Sequence, residues 1–127
     1  MSENLSILVV DDYPPIANTL ADILDRKGFE VKTANSGAEA LEILRDHPMD
    51  ILLTDAMMPE MNGIELYREA RKILPTLTTI LITDDDAGDL VQQGFKEGIK
   101  AILDKPVDIN FLFRLLSAIK EGKSNAD

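Results

Sequence analysis

Residues 51–63 read ILLTDAMMPEMNG, and this stretch indicates how the chain is built. An apolar run stops at the carboxylate of Asp55 and continues into a loop that contains methionines, a proline and an Asn-Gly pair. A short, continuous apolar run is typical of a strand buried on both faces inside a parallel sheet. A loop made only to turn the chain would be more polar, so the acid at this strand end is a candidate functional residue.

Strand-like and amphipathic segments alternate along the whole chain. The predicted strands cover residues 5–10, 29–34, 50–54, 77–83 and 100–104. The predicted helices follow Pro14-Pro15, begin at the capping-box pattern of Ser36 and Glu39, and cover residues 64–74, 87–97 and 108–121. Five βα units in succession predict an α/β fold with a doubly wound five-stranded parallel sheet and five helices. We expect the strand order 2-1-3-4-5, with the more polar second strand at an edge.

Length and composition limit the classes of protein that fit. The 127 residues predict one domain over residues 1–122, followed by a small polar tail over 123–127 that we expect to be flexible. The absence of cysteine excludes disulfides and fits a reducing compartment. No apolar run approaches the roughly 20 residues that cross a bilayer, and the net charge of −10 disfavours direct nucleic-acid binding. We therefore expect a cytoplasmic protein without membrane or nucleic-acid contacts.

Charged and hydroxyl side chains stand where the predicted strands end. They are Asp11 and Asp12 after strand 1, Asp55 after strand 3, Thr83 after strand 4 and Lys105 after strand 5. Ligands bind outside the carboxyl ends of strands in such sheets, so these residues are expected to meet there. Three close carboxylates against one ammonium are costly unless a cation balances them. Hard oxygen ligands without nearby histidine or cysteine favour Mg²⁺ or Mn²⁺.

The same set of residues suits phosphoryl chemistry. A carboxylate beside a divalent cation and a lysine is placed to act as a nucleophile toward phosphorus. The cation and the lysine would stabilise negative charge on the oxygens of the transferred group. A threonine hydroxyl on the adjacent strand could donate to one of these oxygens, which would bias a two-state switch.

Four separated motifs together resemble the receiver domain of two-component response regulators. They are VVDD at 9–12, LLTDAMMPEMNG at 52–63, ILIT at 80–83 and DKP at 104–106. The resemblance spans residues 5–121, and each motif lies at a predicted strand end. It implies a phosphoacceptor signalling switch rather than an enzyme that turns over a substrate. The expected partner is a histidine kinase or a phosphotransfer protein that donates the phosphoryl group.

The resemblance also implies a role for each matching residue. Asp55 corresponds to the phosphoacceptor, Lys105 to the lysine that binds the phosphoryl group, and Thr83 to the switch hydroxyl. The Lys105–Pro106 peptide is expected to be cis. The implied Mg²⁺ site has Asp12, Asp55 and the carbonyl oxygen of Met57 as direct ligands, with Asp11 acting mainly through water.

Two positions depart from the family pattern. Ile102 stands three residues before Lys105, where an aromatic residue is usual, and Asp84 follows Thr83, where a small residue is usual. A carboxylate beside an incoming phosphoryl dianion is unfavourable. These departures motivate a second hypothesis, a pseudo-receiver that acts by constitutive docking.

Two enzyme or binding classes with the same topology fit the sequence less well. An aspartyl-phosphate phosphatase needs a second acid two positions after its nucleophile, whereas Tyr13 follows Asp11 and Met57 follows Asp55 at that spacing. A flavin or nucleotide binder needs a loop rich in glycine, serine or threonine after strand 1. The segment DDYPP at 11–15 is instead acidic and rich in proline.

The fifth predicted helix has a wide apolar surface. Five apolar residues share one helical face, namely Ile109, Leu112, Phe113, Leu116 and Ile119. Phe111 and Leu115 lie off that face. Two interpretations stay open: a wide buried stripe, or an exposed patch that includes Ile102, Phe111 and Leu115 and binds a second copy or an effector.

Overall fold

The computed structural model describes residues 5–84 and 88–124, in which five strands alternate with five helices. The strands are β1 (Ser6–Val10), β2 (Glu30–Ala34), β3 (Ile51–Asp55), β4 (Thr78–Thr83) and β5 (Ala101–Asp104). The helices are α1 (Pro14–Arg26), α2 (Gly37–Asp46), α3 (Gly63–Ile73), α4 (Gly88–Glu97) and α5 (Ile109–Ser124). Helix α5 continues beyond its predicted end at residue 121. Residues 125–127 of the predicted tail and 85–87 of the acidic stretch lie outside the described residues.

The five strands form one parallel sheet in the order β2-β1-β3-β4-β5. The predicted fold and strand order are thus confirmed, and β2 lies at an edge as expected. Strand β3 is buried along its whole length, including Asp55, which is its last residue. Because β1 and β4 pair with β3 on either side, the carboxyl ends of these three strands lie side by side.

Apolar side chains pack on both faces of the sheet. On one face, α1 and α5 cover strand residues such as Val9, Leu53 and Ile82. On the other face, α2 and α3 cover Leu8 and Leu52. This double coverage explains why β1, β3 and β4 read as continuous apolar runs in the sequence. Within residues 5–84 and 88–124, no helix is both long and apolar enough to cross a membrane.

Side-chain caps fix the starts of two helices. The Ser36 hydroxyl accepts the Glu39 amide at 3.1 Å, which is the half of the predicted capping box that forms at α2. A complete capping box occurs at α3, where Asn62 and Glu65 exchange two side-chain to backbone hydrogen bonds of 2.9 Å each. The second cap sets the end of the loop that begins after Asp55.

Candidate functional site

Three carboxylates meet at the carboxyl edge of the sheet. Oxygen atoms of Asp11, Asp12 and Asp55 all lie within 4.8 Å of one another. Asp11 and Asp55 are buried, with 4% and 5% of their surface exposed, whereas Asp12 is exposed. The Tyr13 amide donates to Asp11 Oδ1 at 2.9 Å, and the Met57 amide donates to Asp55 Oδ1 at 3.3 Å. Each buried carboxylate is therefore held by the backbone of the loop that follows its own strand.

Lys105 reaches the same cluster from the end of β5, the edge strand that lies two positions from β3 in the sheet. Its Nζ atom lies 3.1 Å from Oδ2 of Asp55, although 50 positions separate the two residues in the chain. The backbone amide of Lys105 donates to the Thr83 carbonyl oxygen at 2.9 Å, which extends the pairing of β5 with β4. The Lys105–Pro106 peptide is cis, as the resemblance implies.

Burial and neighbouring charges raise the pKa of Asp11 above its ordinary value. Burial is the largest cause, because it disfavours the ionised form. The charges of Asp55 and Asp12 act in the same direction, while the Tyr13 amide and Lys105 act against it. The carboxylates of Asp11, Asp12 and Asp55 thus repel one another, and Lys105 offsets only part of their negative charge. A bound cation would reduce the repulsion between the carboxylates.

The pKa of the Lys105 ammonium is raised by the same excess of acids. Burial on its own would lower it, but the hydrogen bond to Asp55 and the charges of Asp55, Asp11 and Asp84 outweigh that effect. Lysine is therefore held in its charged form, as a phosphoryl-binding role requires.

Thr83 is buried at the end of β4, one position beyond the residue that aligns with Asp55. Its hydroxyl donates to the carbonyl oxygen of Asp84 at 3.0 Å. The structure thus places Thr83 at the same sheet edge as the acids. Its hydroxyl is bound to the backbone of the next residue, which leads toward α4. Reorientation of this hydroxyl toward Asp55 would break that hydrogen bond.

The loop after Asp55 is packed closely against its own strand. The Gly63 amide donates to the Ala56 carbonyl at 2.8 Å, and a Cβ atom added to Gly63 would lie 2.7 Å from the Asp55 carbonyl oxygen. Met58 packs against the core between α2 and α3, while the side chain of Met57 is exposed. The role of the Met57 carbonyl as a metal ligand stays a prediction.

This geometry coincides with a family match along most of the chain. Residues 7–117 match the response regulator receiver domain family. The chain belongs to this family. Receiver domains act as signalling switches in two-component systems and bind Mg²⁺ at an acidic pocket. The cluster of Asp11, Asp12 and Asp55 lies within the matched residues, and its role as the Mg²⁺ site of this chain stays a prediction.

Relatives that contain this receiver domain are longer proteins of different kinds. The sensor histidine kinase RcsC of Salmonella typhimurium is 35% identical over 120 residues, which are 94% of this chain and 13% of that protein. A response regulator receiver protein of Anaeromyxobacter sp. (strain Fw109-5) is 43% identical over 80% of this chain and 43% of that protein. The chain spans less than half the length of these relatives, so their complete activities do not transfer to it.

Solved structures of receiver domains agree with the fold. The receiver domain protein from Clostridium thermocellum has a TM-score of 0.90 at 31% identity, with 97% of this chain and 99% of that chain covered. The CheY-like receiver domain protein from Methanospirillum hungatei JF-1 has a TM-score of 0.86 at 27% identity, over 95% and 98% of the two chains. Nearly the whole chain therefore forms a receiver domain.

Some features of this receiver domain are absent from the sequence-based prediction. The Asn35 side-chain amide donates to the Asp11 carbonyl at 3.0 Å and ties the end of β2 to the site. A mainly apolar cavity of about 690 Å³ lies beside Lys105, between α1 and the segment that leads into α5. Neither feature has a local sequence signal, because each depends on elements that meet only in the folded chain.

The predicted apolar face of α5 is largely confirmed as core. Leu112, Leu116 and Ile119 are buried, and Ile109 and Phe113 pack against the same cluster. Of the three residues of the proposed surface patch, Phe111 is 46% exposed, while Ile102 and Leu115 are half-buried. Binding of a second copy or an effector at this patch stays a prediction.

Proposed function

We propose that this receiver domain is a switch that accepts a phosphoryl group on Asp55 from a phosphohistidine of a kinase or phosphotransfer protein. The observation that carries the proposal is the 3.1 Å contact between Lys105 Nζ and Asp55 Oδ2, inside a cluster with Asp11 and Asp12. An ion pair alone would not need two further acids beside it. Their convergence on one nucleophilic carboxylate fits phosphoryl transfer.

The residues present fit a divalent cation. Asp11, Asp12 and Asp55 offer hard oxygen ligands within 4.8 Å of one another, and the Lys105 ammonium that contacts Asp55 offsets one of their three charges. Asp12, Asp55 and the Met57 carbonyl are the proposed direct ligands of Mg²⁺, with Mn²⁺ as a substitute. When bound, the cation would supply positive charge to the phosphoryl oxygens.

The transfer step uses the carboxylate of Asp55 as the nucleophile. A bond forms between a carboxylate oxygen and phosphorus while the bond between phosphorus and the donor imidazole nitrogen breaks. The imidazole keeps the electron pair of that bond and its other ring nitrogen keeps its proton, so a neutral histidine leaves. Lys105, already within reach of Asp55, donates to the transferred group and offsets its charge.

We assign to Thr83 the conformational change that follows phosphorylation. Its hydroxyl now donates to the Asp84 carbonyl, and a phosphoryl oxygen on Asp55 would offer a charged acceptor in its place. Exchange of one acceptor for the other would move the chain between β4 and α4. We propose that this change alters a partner-binding surface, and that the protein works in the cytoplasm.

The proposal is tested with a small phosphodonor such as acetyl phosphate and Mg²⁺. Intact-protein mass spectrometry should show one added phosphoryl group on the wild type and none on Asp55→Asn. Asp104→Asn is the matched control, because Asp104 ends β5 at the same sheet edge but is exposed and lies outside the acidic cluster. Chelation of Mg²⁺ should abolish the reaction in the wild type and in the Asp104→Asn control. Equal phosphorylation of the wild type and Asp55→Asn would refute the assignment.

A further inference from the structure

Most of the α4 residues whose burial the structure describes are exposed or half-buried. Of the α4 residues whose burial the structure describes, Gly94 alone is buried, and Phe95 is 55% exposed. A Cβ atom added to Gly94 would lie 2.9 Å from Ile64 Cδ1 and 3.0 Å from Ile99 Cδ1, so the backbone of α4 approaches the core closely at this point. Among these α4 residues, the close contact with the core therefore lies in the second half of the helix.

A group of polar contacts fixes the same end of α4 to α3. Arg68 donates from Nε and Nη2 to the two carboxylate oxygens of Glu97, at 2.7 and 2.6 Å. This arrangement is bidentate, the geometry in which guanidinium and carboxylate bind most strongly. It lowers the pKa of Glu97, mainly through the hydrogen bond from Arg68. Glu97 is the last residue of α4, so the ion pair joins the end of one helix to the middle of another.

The backbone at this helix end is bound as well. The Tyr67 hydroxyl donates to the Glu97 carbonyl oxygen, and Arg71 Nη1 donates to the same oxygen at 3.1 Å. Gly98 follows with a φ of +110°, and a Cβ atom there would lie 2.7 Å from the Tyr67 hydroxyl oxygen. Glycine at this position thus permits the close approach of Tyr67. We call Tyr67, Arg68, Arg71 and Glu97 the α3–α4 clamp.

The opposite end of α4 connects to the candidate switch residue. Only positions 84–87 separate Thr83 from Gly88, the first residue of α4. A change in the acceptor of the Thr83 hydroxyl would act on this short segment, while the α3–α4 clamp holds the far end of the helix. Any rearrangement that lifts α4 from α3 must break the bidentate ion pair and both contacts to the Glu97 carbonyl.

We infer that the α3–α4 clamp stabilises α4 in its unphosphorylated position and thereby opposes phosphorylation of Asp55. The inference rests on the proposed function, because it needs two states of the switch. A contact made in one state shifts the equilibrium by its free-energy difference between the states. Loss of the clamp therefore loosens α4 and increases the fraction of protein that a given phosphodonor converts.

The test compares Arg68→Gln and Glu97→Gln with Lys72→Gln and Glu69→Gln. The control pair is also an ion pair that involves α3, with a distance of 3.0 Å, but both partners lie on that helix. Hydrogen exchange of the α4 backbone amides, measured on unphosphorylated protein, should be about three- to tenfold faster in the clamp variants and unchanged in the controls. Equal exchange in both sets would overturn the clamp.

A second variant protects the test against general destabilisation. Tyr67→Phe keeps the ring, which is buried, and removes the hydroxyl that binds the Glu97 carbonyl. It should accelerate exchange in α4 without a matching change in α2, whereas uniform acceleration along the chain would contradict a local clamp.

Phosphorylation of the same variants separates this inference from the proposed function. With acetyl phosphate and Mg²⁺, the clamp variants should reach a phosphorylated fraction higher than that of the wild type and the controls. Faster exchange in α4 with an unchanged phosphorylated fraction would overturn the opposing role. Failure of the wild type itself to be phosphorylated would refute the proposed function, whereas the exchange rates would still decide whether the clamp holds α4.

Discussion

Substitution of Gly63 by alanine tests whether the loop after Asp55 is as closely packed as the structure shows. The added Cβ atom would lie 2.7 Å from the Asp55 carbonyl oxygen, 2.9 Å from Leu81 Cδ2 and 3.0 Å from Ala56 Cα. The Leu81 methyl group can rotate away, but the other two atoms belong to the backbone at the end of β3. Relief of the clash therefore requires the phosphoacceptor strand end or the start of α3 to move.

Two opposing terms set the size of the effect. Alanine is favoured over glycine inside a helix by up to about 1 kcal/mol. Overpacking of a closely packed site costs about 1–3 kcal/mol. Because two of the three close atoms are backbone, we take the upper part of that range and expect Gly63→Ala to lower the free energy of unfolding by about 1–2 kcal/mol.

Gly122→Ala is the matched control. Gly122 is an exposed residue of α5, and within the described part of the chain no atom beyond its helical neighbours lies within 4 Å of an added Cβ. Alanine should stabilise this variant by about 0.5–1 kcal/mol, since only helix propensity changes. Urea denaturation followed by circular dichroism gives both free energies. If Gly63→Ala increases the free energy of unfolding as Gly122→Ala does, the inference that Gly63 packs too closely on the Asp55 backbone to accept a Cβ atom is wrong.

Three further predictions concern a helix cap, a charge and an acid-sensitive contact. Asn62→Ala should lower the free energy of unfolding by about 1 kcal/mol in urea denaturation, because the side chain that caps α3 is lost; an unchanged midpoint would contradict the capping role. Asp84→Asn should accelerate phosphorylation by acetyl phosphate, because Asp84 lines the cavity that contains Asp11 and Lys105, and the gain should shrink at high salt. Asp25→Asn makes the same charge change near the C-terminal end of α1, away from the acidic cluster, and should leave the phosphorylation rate unaltered. The pKa of Glu97 is lowered in the folded protein, so its contribution to stability is present above its ordinary value of 4.5 and disappears as the pH falls through the lower folded value. Thermal denaturation at several pH values should therefore show that the melting temperature falls less on acidification for Glu97→Gln than for the wild type.

The charge of Asp84 is the feature that most distinguishes this site from the pattern expected of the family. Its carboxylate is exposed, and its charge contributes to the raised pKa of Lys105. The charge of Lys105 is therefore stabilised by Asp55 within the cluster and also by Asp84, which directly follows β4. The proposed phosphoryl transfer to Asp55 would add negative charge near the same lysine, which is why the predicted effect of Asp84→Asn is a faster rate.

The order of elements and the position of the acids follow from the sequence by itself. Alternating apolar and amphipathic segments predicted all five strands and five helices, because hydrophobic periodicity is a local property. Residues that directly follow an apolar run must lie at the carboxyl edge of a parallel sheet, so Asp11, Asp12, Asp55, Thr83 and Lys105 were predicted to meet there. The motifs also sufficed for the family, which the match over residues 7–117 confirms.

Only the tertiary structure decided how these residues contact one another. The 3.1 Å approach of Lys105 to Asp55 joins positions 50 residues apart, and its length depends on how β3, β4 and β5 align. The Arg68–Glu97 ion pair, over 29 positions, has no local signal, because either residue alone resembles a solvated charge on a helix. Periodicity identifies which face of a helix is buried, but the packing of one helix against another determines which polar ends meet. The alternation of strands and helices therefore determined the sheet and the edge at which the acids gather, while helix packing placed the contacts that hold α4 against α3.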